Sequence, residues 1–360
     1  MLNKDLSKQI LTIGNRSDKP DGGIAQVLYS YRQHVFPVFK NVVNYKRGNF
    51  AYKMLVTAGA YIECFFRLLF DRKIRIVHIH TASDNGFRRN IPFVNLAAAM
   101  GRKVVLHIHS GRFNEYYEKH HEQVEKVFAK CAVVVALTKE IKAFYEKMGC
   151  RKVVIINNII EHPEQREIKK DDKAIHLLYL GVITQTKGIY DLIDVIAEHK
   201  EEFTGRLVLH VGGNKEVDKL QSLITAHHLE NVVKFEGWVS GDKKTELLNQ
   251  CDVFILPSYT EGVPISILEA LSYGKYIVAT NVGGVPDIVD EKCGTMIPPQ
   301  NKEALYKALI DLMEREEYKK NIPYRKEKAT AYMPDNVGNQ LETLYRDLIS
   351  GKIVGGGKIS

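Results

Sequence analysis

Short β-branched apolar runs alternate along this chain with longer stretches in which apolar residues recur at helical spacing. In the first half the runs are residues 10–13, 74–79, 104–108, 133–137 and 153–156. In the second they are 175–180, 207–211, 232–235, 253–256 and 276–279. Runs that are apolar at nearly every position mark strands covered on both faces, and strand–helix alternation marks parallel sheets. The pattern predicts an α/β chain with two doubly wound domains of five strands each. Residues 161–173 are charged and interrupted by Pro163, which reads as a linker. This places one domain at 1–168, the other at 169–335, and a final helix at 336–350 that packs back on the first domain.

The 360-residue length suits two cores better than one. A composition that is 45% apolar and 26% charged excludes disorder and fibrous repeats. The five cysteines are scattered, odd in number and without a CxxC pair, which favours a reducing, cytoplasmic compartment over a disulfide framework. Residues 1–14 show no charged-then-apolar leader pattern. The most apolar long segment, 54–70, contains Glu63 and Arg67 and is too short to span a bilayer, so it reads as a helix packed against a sheet.

Charge placement changes the picture more than the net +8 does. Residues 1–170 hold 29 Lys and Arg against 15 Asp and Glu, a balance of +14, and the remainder holds 22 against 28, a balance of −6. A basic first half suits an anionic partner, such as an acidic membrane surface on the inner face of the cell or a phosphate-bearing lipid acceptor. No helix-turn-helix, zinc-finger or aromatic RNP pattern is visible, so nucleic acid is not expected.

The candidate chemistry centres on Glu261-Gly262-Val263-Pro264-Ile265, which leads eight residues on from Glu261 to Glu269. Pro264 suits a first helical position and Gly274 a helix stop. A helix starting there aims free N–H groups and the positive end of its dipole toward Glu261. Glu269, among apolar neighbours, is half-buried and needs a partner. Read as one helix, the two carboxylates lie about two turns, roughly 12 Å, apart.

Other pieces follow strands. Gly22-Gly23 lets backbone approach a ligand closely and is not a GxGxxG dinucleotide motif. Lys187 ends the loop 181–188 with a compact cation suited to a diphosphate. His109 ends a strand, and a neutral imidazole there hydrogen-bonds a hydroxyl in either direction. Arg88 and Arg89 form a candidate clamp for an acidic acceptor group, and Tyr116 a candidate platform for an acceptor sugar. His78/His80 and His107/His109 each share a strand face, yet no third and fourth ligand presents itself, so no metal is expected. Nothing resembles an Asp-x-Asp metal site.

The stretch Leu256-Pro257-Ser258-Tyr259-Thr260-Glu261-Gly262-Val263-Pro264, with Glu269 and then Gly283-Gly284-Val285-Pro286-Asp287, resembles the donor site of retaining GT-B glycosyltransferases, more narrowly glycosyltransferase family 4. The resemblance implies a GT-B fold: two doubly wound Rossmann-like domains facing a central cleft. It implies transfer of a sugar from a nucleoside-diphosphate-sugar to a glycan or lipid-linked acceptor, in cell-surface polysaccharide synthesis. The nucleotide-sugar would be a co-substrate, with no cofactor and no metal. Glu269 would accept hydrogen bonds from the donor ribose. Glu261 and the amides of Gly262, Val263 and Ile265 would orient sugar and phosphates. Lys187 would offset charge on the leaving diphosphate. Gly23 would lie against the phosphates, His109 would face the donor sugar, and Trp238 and Val239 would contact the base, largely through backbone. The family's usual arginine after Gly181 is replaced by Val182, which weakens phosphate stabilisation or hands it to another cation. A non-catalytic partner protein of the same fold, or a sugar-nucleotide epimerase, are the rival readings.

Overall fold

The computed structural model describes residues 1–19, 22–111, 113–168 and 173–352. The chain divides into unit 1, Met1–Glu161 with Tyr332–Ser360, and unit 2, His162–Ala331.

Unit 1 holds β1 (Ile10–Asn15), β2 (Lys40–Tyr45), β3 (Ile76–Thr81), β4 (Lys103–Ile108), β5 (Val133–Ala136) and β6 (Val153–Ile155). They form one parallel sheet in the order β2-β1-β3-β4-β5-β6. Unit 2 holds β7 (Ile175–Leu180), β8 (Leu207–Gly212), β9 (Val233–Gly237), β10 (Val253–Leu256), β11 (Tyr276–Thr280) and β12 (Gly294–Ile297). Their order is β12-β11-β10-β7-β8-β9, again parallel. Both sheets are doubly wound and helix-covered, the architecture the apolar runs imply. Each has six strands where five were expected, the additions being β2 and β12. Both additions are edge strands, where one side is solvated and the apolar run is broken. The burial of β2 accordingly alternates, whereas β3 is buried throughout.

The helices that matter below are α1 (Gly23–Ser30), α2 (Phe50–Phe70), α3 (Asn85–Ala99), α4 (Ile265–Ser272), α5 (Ile322–Ala329) and α6 (Pro334–Ser350). The last helix belongs to unit 1: the Tyr345 hydroxyl lies 2.6 Å from His78 Nδ1 and the side chain of Gln340 accepts from the Asn157 amide. The division between units falls at Glu161/His162, ahead of the expected 168/169. Residues 162–168 carry no helix or strand, yet Arg166 ties them to the rest of unit 2 through Asp242 at 2.9 Å. Four residues of the stretch read as linker, 169–172, lie outside the described residues.

In a doubly wound sheet the crevice opens at the carboxyl ends of the strands where the winding reverses. In unit 2 that point lies between β7 and β10, and the loops leaving these strands are 181–188 and 257–264. The topology alone therefore brings Lys187 and Glu261 to one place.

Candidate functional site

Unit 2 builds its site from three loops and one helix. Gly188 has φ +67°, and a Cβ there would overlap the carbonyl of Pro257, so only glycine lets the two loops touch. Tyr259 N–H donates to the Thr186 carbonyl at 2.9 Å, and the Tyr259 hydroxyl donates to Asp191 at 2.8 Å, which fixes the same contact from the other side. The third loop closes in the same manner. Gly283 has φ +55° and backs directly onto the carbonyl of Glu261, while Gly284 N–H donates to Gly262 at 2.7 Å. The adjacent glycines thus hold the backbone of Glu261 and Gly262 from behind.

The helical ruler applied to Glu261 and Glu269 needs correction. Helix α4 begins at Ile265, Pro264 is its N-cap with φ −68° and ψ 118°, and residues 261–264 approach it without helical structure. No side chain caps α4, so the first-turn N–H groups keep their capacity for a ligand. The helix ends at Tyr273, followed by Gly274 in the left-handed conformation at φ +76°. The fully buried Arg325 of α5 donates from Nε to the Gly274 carbonyl at 2.8 Å and locks that end in place.

Both carboxylates are nearly buried and both are paired. Glu261 Oε1 lies 2.6 Å from Lys187 Nζ. Glu269 Oε1 lies 2.7 Å from the Nζ of Lys244, which stands on the helix Gly241–Gln250. Lys244 has no motif of its own in the sequence, and only the fold brings it to Glu269. Val182 carries no charge, and its carbonyl accepts from the buried Tyr179 hydroxyl at 2.9 Å. The cation this loop brings to Glu261 is Lys187. Trp238 follows Gly237 (φ +72°) at the end of β9 and is 51% exposed, whereas Val239 is set close against the backbone of Gly212. Together these groups offer amide donors, two carboxylate acceptors and two lysines, a set whose chemistry can pair with phosphate and hydroxyl groups.

The remaining candidates stand in unit 1. Gly22 is the N-cap of α1 with φ +145° and ψ 165°, a region essentially reserved for glycine. A Cβ on Gly23 would meet nothing within 4 Å, so packing inside the unit does not demand that glycine. Asp21, beside it, lies outside the described residues. His109 accepts or donates across 2.9 Å to His80 Nδ1. Burial pushes its pKa down to about 4, with a hydrogen bond to Asn158 opposing, so the ring is neutral at pH 7.

Three expectations for unit 1 are corrected. The paired register His80↔His107 brings a third imidazole to the His78 and His107 pair, and the ring nitrogens of the three lie within 4.8 Å of one another. The statement that no third ligand presents itself therefore fails. The rings of His78 and His107 are stacked, with 5° between their planes, and that of His80 is tilted against both. Arg88 and Arg89 do not form a clamp, because both lie in the first turns of α3, where consecutive side chains diverge. Arg88 reaches His120 at 2.8 Å, while Arg89 lies 4.5 Å over the Tyr45 ring. Tyr116 is only 3% exposed, wedged against Phe87 and Phe113, and offers no open platform.

Residues 160–329 match the model of the family described as glycosyl transferases group 1. The amylovoran biosynthesis glycosyltransferase AmsK of Erwinia amylovora is 24% identical over 211 residues, covering 55% of this chain and 52% of that protein. The chain spans about half the length of the curated relatives it matches. Sucrose-phosphate synthase of Thermosynechococcus elongatus superposes with a TM-score of 0.76 at 15% identity, over 95% of this chain and 100% of that one. Anabaena Alr3699/HepE, solved in complex with UDP and glucose, gives 0.70 at 16% identity, over 94% and 100%. The chain has the two-unit fold of GT-B glycosyltransferases.

Proposed function

We propose that this protein is a retaining glycosyltransferase that moves a sugar from a nucleoside-diphosphate-sugar to a glycan or lipid-linked acceptor in cell-surface polysaccharide synthesis. The observation that carries the reading is the convergence at the β7/β10 switch point of the uncapped α4 N-terminus with Lys187–Glu261 and Lys244–Glu269. AmsK, named as an amylovoran biosynthesis glycosyltransferase, and HepE, solved with UDP and glucose, support it. In this reading the α4 amides and Lys187 take up the negative charge that develops on the leaving diphosphate, a preorganised form of transition-state stabilisation. Glu261 exchanges part of its pairing with Lys187 for the donor, and Glu269 accepts from the ribose hydroxyls. His109 presents a neutral ring to the donor sugar, and Gly22-Gly23 lets backbone meet the phosphates. Trp238 and Val239 flank the base. Turnover needs no added divalent ion, because lysines and helix amides do the charge work. The site of action is the cytoplasmic face of the cell membrane.

Thermal unfolding with UDP, GDP, ADP and CMP at matched concentration tests the donor site. A ligand that binds only the folded protein at about 100 times its Kd adds about 2.7 kcal/mol of stability. A shift with one nucleotide names the donor class. No shift with any of the four refutes the donor site. Conversion of a sugar-nucleotide without acceptor would make the protein an epimerase instead.

A further inference from the structure

Helix α2 is apolar on both sides. Its core-facing stripe is Ala60, Cys64 and Leu68, which pack in the core of unit 1. Its opposite face carries Leu55, Ala58, Ile62, Phe65, Phe66 and Leu69, at the three- and four-residue steps that keep one side of a helix together. Leu55 is 72% exposed, Ile62 57%, Phe66 49%, and Phe70 at the helix end 75%. A helix that is hydrophobic all round belongs inside something, and a contiguous apolar ridge of this length is far outside the scatter of single exposed residues on an ordinary surface.

The charges around the ridge say what covers it. Lys46 and Arg47 stand exposed just before the helix, and Arg72, Lys73 and Arg75 just after it. Within the helix the acidic residue is Glu63, paired with Arg67 at 2.8 Å. One flank opens on a cavity of about 1010 Å³ to which α2 contributes Tyr52 and Arg67 and whose lining also holds Arg16, Arg32, Lys40 and Lys46 with Asp18. Arg16 is paired with Asp18 and Lys40 with Asp71, so Arg32 and Lys46 are the cations these two pairs leave. A second copy of the chain is a poor occupant. Two α2 helices packed face to face would set basic ends beside basic ends in either direction. An anionic bilayer answers both features at once, taking the ridge into its headgroup–acyl boundary and the flanking cations onto lipid phosphates. Among the described residues no helix is long and apolar enough to cross a membrane, and α2, with Lys53, Glu63 and Arg67, lies on the surface instead.

We propose that α2 is a membrane-docking helix that lays its Leu55–Ile62–Phe66–Leu69 ridge into an anionic lipid surface, with phosphate headgroups entering the cationic cavity beside it. This rests on the reading of unit 1 as the basic, membrane-facing unit and gives that surface a specific element. The test is sedimentation of the full chain with phosphatidylcholine vesicles, with and without phosphatidylglycerol, at low and high salt. The intact chain is expected to follow the phosphatidylglycerol vesicles and to release in high salt. The double variant Ile62→Glu, Phe66→Glu, confined to exposed positions, should partition at least about tenfold less. Arg72→Glu with Lys73→Glu should lose about fivefold for each charge, on anionic vesicles alone. Equal binding by the intact chain and the ridge variant overturns the proposal, as does an intact chain that ignores phosphatidylglycerol. A dimer in sedimentation equilibrium that the ridge variant converts to monomer, without vesicle binding, also overturns it and names the second copy as occupant. The nucleotide-induced thermal shift of unit 2 is read on the same variants. It should be unchanged, so failure of the donor reading and failure of docking are separately visible.

Discussion

The α4 region of unit 2 and the histidine strand ends of unit 1 bury polar groups in opposite ways. Around α4 the buried groups are charged and matched: Glu261 with Lys187 and Glu269 with Lys244. Along β3 and β4 they are neutral and only partly matched. His107 has neither ring nitrogen hydrogen-bonded, and His78 and His80 each leave Nε2 unpaired. Matched charges cost little at rest and can be redistributed onto a charged ligand. Unmatched neutral rings hold donors and acceptors against burial at a standing cost of about 1–3 kcal/mol for each unsatisfied group. The first arrangement suits binding an anion. The second suits a site whose properties depend on keeping protons off.

The largest effect should come from breaking the matched pairs. In the proposed reaction, Glu269→Ala should lower kcat/KM by about 10²–10³-fold, or roughly 3–4 kcal/mol of transition-state stabilisation, by the scale of other preorganised polar groups. It also leaves Lys244 facing a nearly buried space. Initial rates of nucleotide release, with far-ultraviolet circular dichroism to verify folding, measure this. Unchanged turnover in a folded variant would remove Glu269 from the mechanism. Next in size is Gly188→Ala. The left-handed backbone costs a non-glycine residue about 1–3 kcal/mol, and the overlap with Pro257 adds to it. The expected result is a lower Tm together with loss of the nucleotide-induced shift, since the loop bearing Lys187 must move away from β10. Gly23→Ala, with open space at its Cβ, should leave the Tm without nucleotide unchanged and is the control for stability alone.

The two regions were not equally readable in the sequence. The α/β class follows from the apolar runs because interior parallel strands are buried on both faces, as β3 and β11 are. The strands left out, β2 and β12, are edges whose solvated side breaks the run. Lys187, Glu261 and Gly283 sit in local motifs, because loops after strands at a switch point reach one place whatever the details of packing. Lys244 and His80 are different. Lys244 reaches Glu269 only through the packing of a separate helix. His80 joins His107 only through the register of β3 on β4, and a single sequence does not reveal register between strands separated by a helix. Arg88, Arg89 and Tyr116 failed as a group for the converse reason. They are adjacent in sequence to strand ends but lie in helices, whose turn scatters neighbouring side chains and buries the aromatic one.

The smallest effects sharpen the comparison most, because they are expected in unit 1 without touching the α4 site. Burial holds the pKa of His109 down to about 4 and of His78 to about 3, and holds His80 and His107 well below 6.5. The unfolded chain therefore binds more protons than the folded one below pH 6.5. Stability is complete above that pH and falls as the pH drops toward 4, by on the order of 1.4 kcal/mol per pH unit for each ring that must charge. Among the described histidines of unit 2, His210 alone is shifted in the same direction, so histidine protonation between pH 6.5 and 5 should open unit 1 first. Hydrogen exchange at pH 7 and pH 5 should show amides of β3 and β4 losing protection before those of β10 and β11. His107→Leu removes a ring that makes no hydrogen bond. At pH 7 it should leave the Tm unchanged or raised, because it removes two buried polar atoms that have no partner, and it should flatten the acid slope by one ring's worth. A variant that is strongly destabilised at pH 7 would mean that His107 is held by something its ring nitrogens bind in the native protein, and that the rings of unit 1 are matched after all.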